Sequence, residues 1–268
     1  MPMNPEFENK IFVVVDPSQE KHVALERAII TAKFRDSAAL HVLIAVDAEH
    51  TDTTAKNSNL FRSSTWFYNL AKPVEEAGLE FSVEFCWSGD WYGSIIKSAK
   101  ESGSNLIMLP LMHRPSDSLW VNESIWKLLR TSELPVLMVQ PGAEMHRKTI
   151  LAAVNFQGRK DKYKRLNDDI IYRGQWMAEK YDADLHIVNA YKDSLNYPDR
   201  SALANETGVD SDRIHVINGA PEDVIANISK QLQADVTIVG TLKRANSWRG
   251  NTSEKVISRL HGDILTLN

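Results

Sequence analysis

Val236-Thr237-Ile238-Val239-Gly240, a polar loop, and then Gly250-Asn251-Thr252-Ser253-Glu254-Lys255-Val256 form the stretch on which the fold turns. The first five residues predict a buried strand, because apolar and β-branched residues run without alternation up to a glycine. The last seven predict a helix start, with Asn251, Thr252 or Ser253 as cap and an apolar face opening at Val256-Ile257. A strand ending in glycine, a loop and a small-polar helix N-terminus is how an α/β chain cradles an anion. Free backbone N–H groups and the helix dipole both face it.

Outward from that stretch the chain repeats itself. Lys10-Ile11-Phe12-Val13-Val14-Val15-Asp16 returns as Lys148-Thr149-Ile150-Leu151-Ala152-Ala153-Val154-Asn155, and Leu40-His41-Val42-Leu43-Ile44-Ala45 as Leu185-His186-Ile187-Val188-Asn189-Ala190. Ser88-Gly89-Asp90 returns as Asn218-Gly219-Ala220, and Pro110 as Gly240; 219 − 89 and 240 − 110 both give 130. A unit of roughly 130 to 140 residues used twice is an ordinary domain length. The turn-forming Pro141-Gly142-Ala143-Glu144 sets the expected domains at 1–141 and 142–268.

Within each half, strands and helices alternate. The first half predicts strand 11–15, helix 23–35 with Ala24, Ala28 and Ala32 at a helical period, and strand 40–46. Helix 64–77 follows, with Phe67, Leu70 and Val74 on one face and a kink at Pro73. Strand 80–87, helix 91–101, strand 105–109, helix 123–130 and strand 136–139 complete the unit. Such alternation means a parallel sheet with helices on both faces, whose ligands bind beyond the carboxyl ends of the strands at a switch in strand order. Asp16, Asn155 and the loop after Gly240 fall on that edge. In the second half the helix between Tyr191 and Asp212 shrinks to about 201–206, and the loop after Gly240 is short.

Composition narrows the function classes. Of 268 residues, 43% are apolar and 25% charged, which is a globular balance. The net charge of −4 carries no nucleic-acid footprint. The cationic run Arg159-Lys160-Asp161-Lys162-Tyr163-Lys164-Arg165 reads mostly as a solvated loop and helix start, with an anion contact as the sharper alternative. Cys86 is the only cysteine, so there is no internal disulfide and no cysteine metal cluster. No stretch approaches the ~20 apolar residues of a membrane span, and the polar first ten residues are unlike a signal peptide; a cytoplasmic location is expected.

Other candidates fare less well. His41 and His186 share a repeat position but have no His, Cys or carboxylate at ligand spacing, so satisfied structural histidines are expected. Trp126 and Trp176 lie at core-like spacing, while Trp91 and Trp248 sit on or beside binding-edge loops, where packing is evenly balanced against a ligand or pseudo-domain contact. Cys86 reads as a buried thiol. No Ser-His-Asp order, Gly-x-Ser-x-Gly or loop carboxylate pair marks a catalytic centre, so the reading leans away from an enzyme.

At these residues the sequence resembles the universal stress protein superfamily, specifically its tandem E-type members. The pieces that carry the likeness are Asn218-Gly219-Ala220-Pro221, Asp235-Val236-Thr237-Ile238-Val239-Gly240-Thr241 and Gly250-Asn251-Thr252-Ser253-Glu254-Lys255-Val256. In the first half they are Trp126-Lys127-Leu128-Leu129-Arg130 with Leu134-Pro135-Val136-Leu137-Met138-Val139. The resemblance implies two tandem doubly wound, five-stranded parallel-sheet domains, Rossmann-like and similar to adenine nucleotide alpha hydrolases, paired through their last strands as an intramolecular pseudo-dimer.

Nucleotide-binding members carry Gly-x-x-Gly, nine residues, then Gly-Ser or Gly-Thr. Here Gly240 and Gly250 match the outer glycines, Lys243 replaces the second, six residues follow it, and Asn251-Thr252 stands for the hydroxyl residue. A lysine does not reproduce the glycine geometry, yet Lys243, Arg244 and Arg249 offer cations to a phosphate or remain solvated charges. The family's strand-end aspartate is Asp16 in the first half and Asn155 in the second, where an amide still both donates and accepts. The first half has Pro110, His113 and Asn122-Glu123-Ser124 in place of the phosphate loop, so it is not expected to bind ATP, and Asp16 becomes a turn residue.

The expected function is thus a stress-response protein that binds a small anionic ligand, ATP- or AMP-like, without catalysis. The expected site is Asn155, Gly219, Gly240, Lys243, Arg249, Gly250, Asn251 and Thr252 in the second half. Magnesium is implied only with a triphosphate. The alternatives are a nucleotide-independent scaffold whose inter-domain cleft takes another amphipathic metabolite or a protein partner, and, third, a weak ATP hydrolase. Tandem architecture lowers the need for a homodimer and leaves one open.

Overall fold

A computed structural model of the chain describes residues 9–17, 19, 21–35, 38–46, 64–87, 90–113, 119–120, 123–158, 160–193, 195, 197–241 and 252–268. The chain divides into two compact units, 1–111 with 122–145 and 112–121 with 146–268.

The first unit runs β1 (Lys10–Val15), α1 (Val23–Lys33), β2 (Ala39–Val46), α2 (Ser64–Glu76), β3 (Phe81–Trp87), α3 (Trp91–Glu101) and β4 (Leu106–Pro110). A short antiparallel pairing of β5 (Met112–His113) with β6 (Leu119–Trp120), which the sequence did not announce, belongs to the segment grouped with the second unit. Helix α4 (Glu123–Thr131) and β7 (Val136–Val139) complete the first unit. Its sheet is wholly parallel, in the order β3-β2-β1-β4-β7. Ile11, Phe12 and Val13 are fully buried, because helices on both faces remove any need for alternation. Helix α1 sets Ala24, Ala28 and Ala32 into the core, as their period predicts. Inside the same unit the buried Arg27 guanidinium donates to the carbonyls of Glu144 and Met145, fastening α1 to the chain that leaves β7.

Some expected faces need correcting. Helix α2 runs through Pro73 and buries Leu70 and Val74 as expected, but with Trp66 rather than Phe67. Phe67 is half-buried, in edge contact with Trp66 at 5.3 Å and Phe85 at 5.4 Å. Trp126 and Trp176 are only half-buried, since Ile125, Leu128 and Leu129, and Ile170 and Met177, fill those helix faces. Trp91 and Cys86 are buried. Element ends differ from the sequence pattern by one or two residues: α1 stops at Lys33, and β4 starts at Leu106.

The second unit runs β8 (Thr149–Ala153), α5 (Asp161–Tyr181), β9 (Asp184–Tyr191), α6 (Arg200–Thr207), β10 (Ile214–Asn218), α7 (Pro221–Leu232), β11 (Val236–Gly240), α8 (Thr252–Ile257) and β12 (Asp263–Leu267). Its parallel order is β10-β9-β8-β11-β12. The shrunken helix is α6, capped by the Asp199 carboxylate on the Ser201 N–H at 2.8 Å.

Buried charge pins the amino ends of these strands. Arg147 Nη2 lies 2.8 Å from Asp263 Oδ2, both side chains almost wholly buried, and the guanidinium stacks 5.2 Å over the Tyr181 ring. The Asp235 carboxylate accepts the Lys148 and Thr149 N–H groups at 2.7 and 2.9 Å. These contacts hold the entrances of β8, β11 and β12 together and leave the opposite, carboxyl edge free of them. Removing one partner strands a buried charge, so Asp263→Ala should cost about 3–5 kcal/mol of unfolding free energy in urea titration. The paired replacement Arg147→Met with Asp263→Leu should recover most of that loss.

Candidate functional site

In the second unit the first strand, β8, has β9 on one side and β11 on the other. The connections leaving β8 and β11 therefore diverge, and a crevice opens between the two strand ends. A cavity of about 530 Å³ occupies that place, within the usual range for small-molecule sites. Its floor is Ala153, Val154 and Asn155 from the end of β8 and Val239 and Gly240 from the end of β11. Tyr163, Leu166, Asn167 and Ile170 of α5 form one wall; Pro221 and Ile225 of α7 with Thr252, Ser253 and Val256 of α8 form the other. Gln157 and the stretch Ala190 to Asp193 close the side towards β9.

Buried amides shape the loop after β8. The Asn155 N–H donates to Asn167 Oδ1 at 3.0 Å, and Asn167 Nδ2 donates back to the Asn155 carbonyl at 3.1 Å. The Phe156 N–H donates to Asn189 Oδ1 at 2.8 Å. Gln157 Nε2 donates to the Ala190 carbonyl at 2.9 Å, and its Oε1 accepts from Asn189 Nδ2 at 3.1 Å. Asn189 is fully buried, so it has to be satisfied in this way. On the far side, the Ser253 hydroxyl donates to the Gly240 carbonyl at 2.8 Å and ties the start of α8 to the end of β11. Asn155, Lys192, Asp193 and Thr252 line the cavity with exposed side chains.

The model of the universal stress protein family matches residues 8–140. Relatives cover both halves. The universal stress protein E homolog of Haemophilus influenzae is 27% identical across 95% of this chain and 96% of its own length. Universal stress protein E of Escherichia coli K12 is 25% identical across 96% and 93%. The chain belongs to the universal stress protein family. A crystal structure of a functionally unknown protein from Pseudomonas aeruginosa PAO1 superposes with a TM-score of 0.82 at 26% identity, covering 97% of this chain and 92% of that one. A universal stress protein from Archaeoglobus fulgidus shares the fold, with a TM-score of 0.71 at 17% identity over 97% and 98% of the two chains.

Of the family-derived site residues, Asn155, Gly240 and Thr252 come together around the cavity. Gly219 does not line it. It follows β10 at φ +153°, its N–H bonded to the Tyr191 carbonyl at 2.8 Å, and a Cβ there would meet Val224 at 2.9 Å. Turn geometry and packing explain that glycine. Lys243, Arg249, Gly250 and Asn251, and Trp248 with them, lie outside the described residues. Gly240 has a packing reason to be glycine: a Cβ there would sit 2.5 Å from Leu166 Cδ2 and 3.2 Å from Ile170 Cδ1. Asp16 in the first unit is buried and accepts from Gln19 Nε2 at 3.5 Å, in keeping with a turn role.

Sequence reasoning missed Gln157, Asn167, Asn189, Tyr163 and Lys192 as lining or supporting residues. Asn189 interrupts an apolar strand and Asn167 an apolar helix face, which is the signal that marked them. It also missed the partners of the matched histidines. His41 Nε2 lies 3.1 Å from Glu84 Oε2 and its Nδ1 2.8 Å from Ser82 Oγ. His186 Nδ1 lies 3.2 Å from His215 Nε2, the rings stacked at 5.4 Å. Both rings are structurally satisfied, by neighbours on the adjacent strand that chain spacing does not display. Among the described residues no cluster of three or more His, Cys, Asp or Glu could hold a metal.

Two predictions follow from this geometry. Burial holds the His186 and His215 pKa values below the ordinary 6.5, aided by Arg213 on His186 and by His186 and Arg200 on His215, and opposed at His186 by Asp184 and Asp212. The unfolded chain thus takes up protons that the folded pair refuses. Their stability contribution is complete above pH 6.5 and is lost as pH falls below it. Melting temperatures from pH 7.5 down to 5 should decline less steeply in His215→Gln than in the wild type. Gly240→Ala should push Leu166 into the cavity and lower unfolding free energy by about 1–3 kcal/mol, read by chemical denaturation.

Proposed function

We propose that the second unit is a non-catalytic binding module for a small, nucleotide-like anionic ligand seated in the switch-point cavity. The observation that carries this reading is the position of the cavity: it lies at the carboxyl ends of β8 and β11, the one crevice that a doubly wound sheet builds for a ligand. Its chemistry supports the reading. Leu166, Ile170, Ile225, Val239 and Val256 offer apolar contact to a ring, while Asn155, Tyr163, Lys192 and Thr252 supply polar groups around it. The phosphate end would fall at the start of α8; Lys243 and Arg249 are the cations that the sequence offers it.

Binding fits this lining better than hydrolysis. Asp193 is the single carboxylate among the described lining residues, and its Oδ1 accepts the Leu195 N–H at 3.0 Å. In-line attack on a phosphate needs a base or metal carboxylate beside the phosphates, and the sequence from Thr241 to Thr252 supplies none. Membership of the family sets the biological context as the stress response, and among the described residues no helix is long and apolar enough to cross a membrane.

A ligand bound only by the native state must raise the melting temperature by mass action, by about 2.7 kcal/mol of added stability at a hundredfold excess over Kd. Millimolar AMP or ATP, with and without magnesium, should therefore shift the melt. Thr252→Glu puts a carboxylate at the cavity mouth and should abolish the shift without lowering the unliganded melting temperature. No shift with any adenine nucleotide would refute the reading.

A further inference from the structure

The polar end of the cavity is already occupied by the chain's own side chain. Gln157 lines the cavity, yet both ends of its amide are engaged, Nε2 on the Ala190 carbonyl at 2.9 Å and Oε1 on Asn189 Nδ2 at 3.1 Å. A primary amide is a flat group with a donor beside an acceptor. Its partners here are therefore the complement, an acceptor on Ala190 and a donor on Asn189. That acceptor–donor pair is built rigidly. Ala190 lies in β9, paired with Ile217 of β10. Asn189 is fully buried and anchored by accepting the Phe156 N–H at 2.8 Å, and its Nδ2 also makes a longer bond of 3.3 Å to the Ala190 carbonyl, which holds donor beside acceptor.

The geometry points to Gln157 as an intramolecular stand-in for a ligand's amide-like edge, and so as the group that a base must displace to reach the donor–acceptor pair that reads it. This rests on the reading of the cavity as a nucleotide-like site and deepens it. The edge that matches carries an amino donor next to a ring-nitrogen acceptor, as adenine does with N6 and N1. Hypoxanthine presents the reverse, an oxygen acceptor beside an N–H donor, and would set acceptor against the Ala190 carbonyl. While Gln157 is in place, an aminopurine has to displace it and gains no new hydrogen bonds on balance. With the side chain shortened, the same two groups face an empty slot, and the site discriminates between the two bases.

Isothermal titration of the full chain with AMP and with inosine monophosphate tests this, because the two share ribose and phosphate and differ only in the base edge. Gln157→Ala should tighten AMP by about tenfold, the worth of one good donor–acceptor pair, and leave inosine monophosphate within about twofold. If Gln157→Ala melts too low to titrate, Gln157→Ser carries the same expectation. Gln157→Leu fills the slot without an amide and should gain nothing for either nucleotide. Equal tightening of both nucleotides in Gln157→Ala would show steric relief alone and overturn the proposal. So would unchanged AMP affinity, although wild-type binding of AMP would then still support the cavity as a nucleotide site. AMP binding gained only in Gln157→Ala would uphold the edge match and overturn nucleotide binding by the wild type. Binding by none of the proteins would overturn both.

Discussion

The carboxyl end of β11 lies so close beneath α5 that any side chain at residue 240 would force Leu166 to move. Leu166 and Ile170 of the helix come so near that even a methyl group would overlap them. The same two residues then form the cavity's apolar wall. One steric constraint thus serves two purposes, closing the helix onto the sheet and defining the crevice that the strand order opens. Glycine at this strand end is favoured by packing alone, whatever the loop beyond it holds.

Around that contact the second unit distributes its polar groups unevenly. Its amino edge is closed by the buried ion pair of Arg147 with Asp263 and by the half-buried Asp235 on two backbone N–H groups. Its carboxyl edge is shaped by neutral amides, Asn155 with Asn167 and Asn189 with Gln157. Ion pairs buried this deeply leave no room for rearrangement, since separating them exposes an uncompensated charge. Amide pairs can exchange one partner for a similar group at far smaller cost. The closed amino end and the end that holds the cavity are therefore built from different chemistry.

The two units show how one scaffold diverges. The histidine shared by β2 and β9 meets a carboxylate in the first unit and a second histidine in the other. At the end of the first strand, the first unit keeps Asp16, buried and bonded within its own turn, whereas the second has Asn155 exposed at a cavity. Pro110, which ends β4 where Gly240 ends β11, brings a ring and lacks an N–H at the place where an anion would be met.

The sequence by itself determined the fold of each unit. Unbroken β-branched runs such as 11–15 and 236–239 can be satisfied only between two layers of helices, and the 130-residue recurrence showed that the solution is used twice. It also pointed to the carboxyl edge where the cavity lies, because in a doubly wound sheet the crevice follows from strand order. Only the tertiary structure decided who meets whom there. His186 and His215, Asn155 and Asn167, and Gln157 and Asn189 are separated by 12 to 32 residues and meet across neighbouring strands or between a strand end and a helix. No local period records such pairs, since register and helix placement follow from packing of the whole core. Gly219 shows the converse: a motif residue legible in the sequence that the structure places outside the cavity lining, in a turn against Val224 and the Tyr191 carbonyl.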